Sequence, residues 1–308
     1  MNFLESYENN KILLMEGAVG ERLKHEYFLD LDEPVALAGH IYKEQSRSAL
    51  KEIYSQYIKT GVKFGYPVML TTPTRRANRE RVGSSAYSAD IIKDNVAFMR
   101  HLSEEYSHPV LIGGLMGCKG DAYKATEQLS TRDAHNFHSW QAELFKAAKA
   151  DYLFAGIMPA LPEAVGMANA MEDTGLPYII SFMIRENGRL IDGTAISEAI
   201  KIIDSETVRK PVCYMTNCVH PFILDKALSQ TFNQTAVVRE RFMGIQANAS
   251  PMTPEELEGG GDIIVSDPVE LSAGMIKLCK EYKFKILGGC CGTDQCYMDA
   301  IAERLMEI

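Results

Sequence analysis

The sequence predicts an α/β protein, a single (β/α)8 TIM barrel that comprises residues 1–308. Short apolar runs alternate with amphipathic stretches along the whole chain, and no Gly/Ser-rich linker divides it. Cysteine-containing segments follow directly after two of the apolar runs. A chain of 308 residues is long for one ordinary domain but usual for one barrel of this kind. These observations together favour one barrel over two smaller domains.

The predicted strands are short apolar runs, most of which lead into a loop that contains glycine, threonine or cysteine. They lie at 11–15, 67–72, 108–114, 151–155, 176–184, 211–217, 241–250 with its loop, and 283–287. The intervening segments have apolar residues at helical spacing. Helices are predicted at 22–27, 44–60, 90–106, 133–150, 161–174, 197–203, 222–228, 268–282 and 294–306. Gly175 is expected to end one helix, and Ser197 to be the N-cap of the next.

Composition and charge exclude several classes of partner. The net charge is −9 and no basic tract is present, which argues against nucleic acid and anionic membranes. The sequence has no membrane-spanning apolar run and no signal peptide at its start. Seven unevenly spaced cysteines fit a reducing compartment, so a cytoplasmic location is expected. The oligomeric state is left open.

The segment that carries most chemical information is Lys-Ile-Leu-Gly-Gly-Cys-Cys-Gly-Thr-Asp at 285–294. Neighbouring cysteines make a poor disulfide, because bridge geometry needs a larger separation of their Cα atoms. Both thiolates can bind one metal ion. The alternative is a pair of small buried residues after a strand. Two adjacent cysteines, Cys290 and Cys291, between glycines favour the metal site.

Cys218 is the best candidate for a third metal ligand. It follows the sixth predicted strand, just as the Cys290–Cys291 pair follows the eighth. The C-terminal ends of barrel strands converge on one face, where active sites lie. Three thiolates and one open position are typical of a catalytic zinc site, since a structural site takes a fourth protein ligand. His220 is a competing ligand, ranked below the cysteine pair.

The two cysteine motifs resemble those of a known family. Asn217-Cys218 and the segment from Gly288 to Thr293 are similar to the signature of the homocysteine S-methyltransferases. These include the betaine-dependent enzymes and the homocysteine-binding module of cobalamin-dependent methionine synthase. The resemblance covers nearly the whole chain. It implies a Zn²⁺ cofactor and methyl transfer to a zinc-bound thiolate, with homocysteine giving methionine.

The resemblance also implies a class of methyl donor. A zinc centre with three thiolates and a substrate thiolate is negatively charged, so a cationic sulfonium or quaternary ammonium donor suits it. A methyl-corrinoid donor would require a separate corrinoid protein, since this chain contains no recognisable cobalamin domain. In-line transfer needs positioning rather than acid–base help, so no general base is expected.

The same resemblance implies a set of substrate-binding residues. The turn Glu16-Gly17-Ala18 matches a family segment whose backbone amides lie along the amino acid substrate. Glu16 stands where the family has Asp, and Glu21 where it has Thr. The other implied contacts with substrate are Thr72, Asn217, Asn248 and Gly289.

One position departs from the family pattern. The family has Glu-Thr-x-Pro-x-x-x-Glu-Ala after the fourth strand, and alignment on Pro159, Glu163 and Ala164 puts Gly156 at the first Glu. In the family that Glu binds the amino group of homocysteine. Its loss removes a charge-assisted contact worth about 1.5–3 kcal/mol. Either another acid such as Glu16 replaces it, or the acceptor is a different thiol.

Other features have two interpretations each. The arginine-rich segment 75–81 is either a solvated loop or the source of an arginine that binds a carboxylate. The loop Gly259–Gly261 is either a lid or an ordinary surface loop. His138 and Gln141 match a family His-x-x-Gln and are expected to pack between helices. Cys118, after the third strand, is expected to be a small buried residue.

Two rival functions are consistent with the cysteine motifs. A zinc hydrolase would activate water at the open position, but it predicts histidine or carboxylate ligands and a nearby general base. A thiol-binding or redox barrel would use the cysteines without metal, and the replaced Glu favours this idea. Stoichiometric zinc distinguishes the methyltransferase from the redox protein.

Overall fold

The computed structural model describes residues 2–252, 256 and 264–308. Eight strands form a closed barrel in sequence order, and each strand pairs in parallel with both neighbours. Pairing of the first strand with the eighth closes the barrel. The predicted (β/α)8 TIM barrel is therefore confirmed. The loop Gly259–Gly261, one interpretation of which is a lid, lies outside the described residues.

The elements alternate as in other parallel barrels. The strands are β1 (Leu13–Met15), β2 (Val68–Thr71), β3 (Val110–Gly117), β4 (Tyr152–Met158), β5 (Tyr178–Phe182), β6 (Cys213–Val219), β7 (Phe242–Ala247) and β8 (Ile286–Gly289). The helices are α1 (Phe3–Asn9), α2 (Gly20–Glu26), α3 (Glu44–Phe64), α4 (Arg79–Gly83), α5 (Asp90–Glu104), α6 (Thr131–Ala147), α7 (Leu161–Thr174), α8 (Ile196–Glu206), α9 (Pro221–Ser229), α10 (Ala236–Arg241), α11 (Pro268–Tyr282) and α12 (Gln295–Leu305). Within the described ranges, none of these helices has the length and apolarity to span a membrane.

The apolar core has two parts because side chains alternate between the two faces of each strand. The larger part lies between the barrel and its helices. The smaller part fills the barrel interior and consists of Phe3, Leu13, Met15, Met69, Leu111, Tyr152, Phe154, Ile179, Cys213, Met215 and Ile286. Since these residues fill the lumen, polar functional groups have space only at the C-terminal ends of the strands.

Two strands extend beyond their predicted ends. β3 continues to Gly117 and β4 to Met158, because Met116 pairs with Ala155 and Gly117 with Gly156. The extension depends on strand pairing, which a local apolar run does not reveal. It carries the loops after both strands farther over the C-terminal face.

The expected N-cap of helix α8 is wrong. Ala195, not Ser197, occupies the N-cap position, and the helix begins at Ile196. The Ser197 N–H donates instead to Asn233 Oδ1 at 3.1 Å. A side chain distant in sequence thus satisfies a helix N-terminus that the local capping rule assigned to Ser197. Gly175 does end α7, in the left-handed conformation expected of it.

A short N-terminal helix, α1, was not anticipated from the sequence. Asn2 and Glu5 form a capping box at its start. Phe3 is 1% exposed, and its ring stacks on Tyr152 with the centroids 4.6 Å apart. Because Tyr152 belongs to the inner cluster, α1 covers the N-terminal end of the barrel, opposite the functional face.

Substitution Phe3→Ala is expected to destabilise the fold by about 3–5 kcal/mol, since it removes a fully buried ring from the end of the lumen. Urea unfolding followed by circular dichroism measures the change. Leu4→Ala is the matched control, because Leu4 is 45% exposed on the same helix. Equal midpoints for the two variants would contradict the role of α1 in closing the barrel.

Candidate metal centre and substrate cavity

Cys218, Cys290 and Cys291 meet at the C-terminal face of the barrel. Cys218 lies near the end of β6, and the other two follow β8. Their sulfur atoms all lie within 4.8 Å of one another. The Sγ atoms of Cys218 and Cys291 are 3.3 Å apart, and those of Cys290 and Cys291 are 4.0 Å apart. Among the described residues, this is the one group of three or more His, Cys, Asp or Glu side chains close enough to hold a metal ion.

The backbone at Cys218, one of the three clustered cysteines, adopts an unusual conformation. Its φ is 63°, and the pairing of β6 with β7 shifts register between Asn217 and Val219. A left-handed backbone is rare for a residue other than glycine and concentrates at functional sites. The register shift interrupts the regular alternation of side chains at Cys218, beside the cavity.

The Asn217 side chain holds the neighbouring strands together beneath the cysteines. Its Oδ1 accepts hydrogen bonds from the Ile157 N–H at 2.9 Å and from the Ser181 hydroxyl at 2.5 Å. Ile157 also has a positive φ, of 54°. Asn217 lines the cavity, and its amide oxygen fixes the bulge of β4 beside the site.

The three thiols do not share charge equally. Hydrogen bonds from Cys290 and Cys291 lower the pKa of Cys218 well below its usual value, despite complete burial. Donating those hydrogen bonds raises the pKa of the two partners. Without metal, a negative charge on the cluster therefore settles on Cys218.

Tyr123 is a site residue that the sequence analysis missed. Its hydroxyl donates a hydrogen bond to Cys218 Sγ at 3.2 Å. Burial raises the pKa of Tyr123, and the thiols of Cys218, Cys291 and Cys290 raise it further, so the phenol keeps its proton. Tyr123 belongs to the loop after β3, and no motif in that loop indicates a contact with Cys218.

A cavity of about 540 Å³ opens beside the cysteines. Six of the seven substrate-binding candidates line it together with the three cysteines; these six are Glu16, Gly17, Ala18, Thr72, Asn217 and Gly289. Asn248 does not. It lines a neighbouring cavity of about 280 Å³, and its Oδ1 accepts the Ser250 N–H at 3.0 Å.

The β1 turn and the β8 turn pack so closely that small residues are required. A Cβ at Gly17 would lie 2.8 Å from the Tyr57 hydroxyl, and one at Gly289 would lie 2.2 Å from Thr293 Oγ1. Ala18 is held from both sides, since its carbonyl accepts the Tyr57 hydroxyl and its N–H donates to the Thr293 carbonyl. The two glycines therefore let backbone form the cavity wall.

Glu16 is a buried acid that faces the cavity. It is 4% exposed and accepts hydrogen bonds from the Thr71 hydroxyl and, at 3.1 Å, from the Thr71 N–H. Burial raises its pKa to about 7, although hydrogen bonds from Thr71 and Gln246 oppose the shift. The carboxyl therefore changes charge near neutral pH.

The wall at Gly156 is apolar. A Cβ at this position would lie 2.9 Å from Leu115 Cδ1. Leu115, Phe154 and Ile157 all line the cavity. The space next to position 156, where the resemblance implies a carboxylate, is thus taken by the Leu115 side chain.

Thr72 and His220 have structural partners of their own. The Thr72 hydroxyl bonds with Thr74 Oγ1 at 2.8 Å and accepts the Leu115 N–H at 3.1 Å, so it joins β2 to β3. His220 caps α9 by accepting the Phe222 N–H, and its other ring nitrogen lies 3.2 Å from Ser266 Oγ. The imidazole of His220 stays outside the metal-ligating group.

His138 and Gln141 pack between elements, as expected. His138 Nε2 lies 3.0 Å from Glu163 Oε1, and the same carboxylate oxygen accepts the Lys119 N–H at 2.7 Å. Gln141 donates to the Thr74 carbonyl at 3.0 Å. These contacts hold the loops after β2 and β3 in place. Cys118, expected to be a small buried residue, is partly buried, and burial raises its pKa to about 12.

A parallel barrel with three convergent thiols at the strand ends, beside a cavity with a buried acid, has the ligands for a metal ion and the space for a small-molecule substrate. The model of the homocysteine S-methyltransferase family matches residues 13–305. The chain belongs to this family and is an S-methyltransferase.

Solved structures support the fold assignment. The chain is similar to the homocysteine methyltransferase MmuM from Escherichia coli in its metallated form, with a TM-score of 0.77 and 19% identity over 96% of this chain and 97% of that one. The oxidized form of the same enzyme has a TM-score of 0.77 and 18% identity over the same shares of the two chains. No curated protein sequence matches the chain.

The raised pKa of Glu16 predicts a pH dependence of stability. Its carboxyl titrates near 4.5 when unfolded and near 7 when folded. Between those values the folded state binds more protons, so stability falls as pH rises. Across this window the wild type should lose about 3 kcal/mol more than Glu16→Gln.

Urea unfolding of the reduced, metal-free protein at several pH values measures this difference. The Gln variant is the control for all other titrating groups, because it keeps the shape of the side chain without its proton equilibrium. Parallel pH profiles for the two proteins would show that the Glu16 carboxyl is not perturbed.

Proposed function

We propose that the protein transfers a methyl group to L-homocysteine held as a thiolate at a zinc ion, giving methionine. The observation that carries the proposal is the convergence of three cysteine sulfurs beside a cavity of about 540 Å³. The cavity is large enough for an amino acid thiol together with a small methyl donor. Glu16 and the apolar residues of the cavity wall, described below, support the same proposal.

The cysteine cluster fits zinc. Tetrahedral zinc with bonds of about 2.3 Å to sulfur separates its ligands by about 3.8 Å. The sulfur separations here are 3.3 Å and 4.0 Å for two pairs and below 4.8 Å for the third. Bound zinc lowers the pKa of a substrate thiol, so that the acceptor sulfur is present as thiolate at neutral pH. Three thiol ligands argue against a zinc hydrolase, which predicts histidine or carboxylate ligands.

Glu16 is proposed to bind the amino group of homocysteine in place of the missing carboxylate at position 156. Its buried carboxyl faces the cavity. A substrate ammonium beside it favours the ionised carboxylate and thereby lowers its pKa from about 7. The close-packed turns at Gly17 and Gly289 bring backbone, rather than side chains, against the rest of the amino acid.

The chain contributes positioning and exclusion of water to the transfer itself. A sulfur–carbon bond forms as the bond between that carbon and the donor atom breaks, and the bonding electron pair leaves with the donor. Leu115, Phe154 and Ile157 provide an apolar wall along the cavity. A water-poor environment strengthens the attraction between a thiolate and a cationic donor. A sulfonium or quaternary ammonium donor is therefore proposed, with a methyl-corrinoid on a separate protein as the alternative.

Metal analysis tests the ligand set. Cys218→Ala, Cys290→Ala and Cys291→Ala are each expected to lose bound zinc, because removal of one thiolate leaves a two-thiolate site of much lower affinity. The wild type should hold one zinc per chain by atomic emission. Cys296→Ala is the control, since Cys296 is exposed and lies outside the cluster. Zinc-free wild type, folded and reduced, would favour the redox alternative.

Calorimetric titration with L-homocysteine tests the acceptor. The zinc-loaded wild type is expected to bind it in the micromolar range, and Glu16→Gln to bind at least about tenfold more weakly through loss of a charge-assisted contact. Cys291→Ala should not bind it. A zinc-loaded wild type that ignores homocysteine would assign the barrel to another thiol, while the metal assignment would stand.

A further inference from the structure

A second cavity, of about 400 Å³, adjoins the cavity beside the three cysteines, which we call the metal cavity. Its lining includes Arg75, Arg76, Arg81, Lys119 and Tyr123, and we call it the arginine pocket. The three arginines and Tyr123 also line the metal cavity, so the two cavities share a wall. The wall between the two cavities therefore carries three arginine side chains.

The arginine pocket is lined by four basic side chains and by two acidic ones, those of Asp121 and Glu127, so positive charge is in excess. In the described part of the chain, no carboxylate lies within ion-pair distance of Arg75, Arg76 or Arg81. Lys119, by contrast, pairs with Glu80 at 3.1 Å. Burial lowers the pKa of Arg76, and repulsion from Arg81 and Arg75 lowers it further, while Cys118 and Asp121 oppose the shift. An anion in the pocket would relieve this repulsion.

Contacts with the surrounding structure hold Arg75 and Arg81 at the pocket. The Arg75 stem lies over Gly117, where a Cβ would be 2.7 Å from Arg75 Cγ. Arg81 donates to the Pro34 carbonyl at 3.1 Å, and this contact leaves the other guanidinium donors available. Asn78 caps α4, the helix that carries Arg81. A solvated loop would not need these contacts.

From this geometry we propose that the arginine pocket binds a phosphate or polycarboxylate group of the methyl donor. This inference rests on the methyl transfer proposed above. Planar guanidinium groups match such oxyanions with paired hydrogen bonds, and three of them favour more than one negative charge. The donor is therefore a molecule whose methylated cationic centre is joined to a multiply charged anionic end.

The position of the arginines assigns the pocket to the donor rather than to the acceptor. Glu16 and Gly289 line only the cavity beside the cysteines, whereas Arg75 and Arg76 line both that cavity and the arginine pocket. The acceptor sulfur must reach the cysteines, so the amino acid occupies the inner part. In-line transfer then brings the donor from the outer part, along the arginines.

Binding of inorganic phosphate tests the pocket directly. In calorimetry at low ionic strength, the wild type should bind phosphate, and Arg76→Gln should bind it at least about tenfold more weakly. Arg79→Gln is the matched control, because Arg79 belongs to the same segment but is exposed and lines neither cavity. Absence of phosphate binding by the wild type, or equal binding by Arg76→Gln, would overturn the proposal.

A second titration separates donor from acceptor. Phosphocholine should bind the zinc-loaded, homocysteine-saturated protein more tightly than choline by about tenfold or more, and Arg76→Gln should remove the difference. Competition between homocysteine and phosphate would assign the pocket to the acceptor and overturn the donor assignment. The Cys291→Ala variant is expected to bind phosphate without zinc. The test of the arginine pocket is thus independent of the metal, and failure of the methyl-transfer proposal can be told apart from failure of the pocket proposal.

Discussion

The convergence of Cys218 with Cys290 and Cys291 is the constraint on which the rest of the site depends. Two strands that are not adjacent in the barrel must deliver sulfurs to within 4.8 Å of one another. Cys218 meets this requirement in a left-handed backbone conformation, beside a register shift of β6 against β7. Strain of this kind persists only where surrounding contacts over-determine it, and the hydrogen bonds that Asn217 Oδ1 accepts from Ile157 and Ser181 supply such contacts.

The barrel separates stability from chemistry along its axis. Apolar side chains and the α1 helix fill the N-terminal end and the middle of the lumen. The thiols, Glu16 and the backbone turns all lie at the opposite end. This arrangement lets the site hold acids and thiols with perturbed pKa values while the inner core continues to stabilise the fold.

The site combines family features with features of its own. The cysteine motifs resemble the family pattern and the β1 turn matches it in part, whereas Leu115 takes the space next to Gly156 and Tyr123 donates to a cysteine sulfur. The loops after β2 and β3 carry the arginine pocket and Tyr123, and the buried contact between His138 and Glu163 fixes the second of these loops. Two neighbouring loops therefore contribute the three arginines and Tyr123 to the cavity that the three cysteines line.

The sequence by itself determined the barrel, its strand order and the three cysteines, because these follow from local periodicity and from motifs placed at strand ends. Tertiary structure decided what depends on distant partners. At the start of α8, the side chain of Asn233 accepts a backbone hydrogen bond, in place of the cap expected from Ser197. The Tyr123 hydroxyl bonds to Cys218, which lies 95 positions away in sequence. The pKa of Glu16 and the excess charge of the arginine pocket likewise depend on burial and on which partners are present, and neither property is encoded in a local pattern of residues.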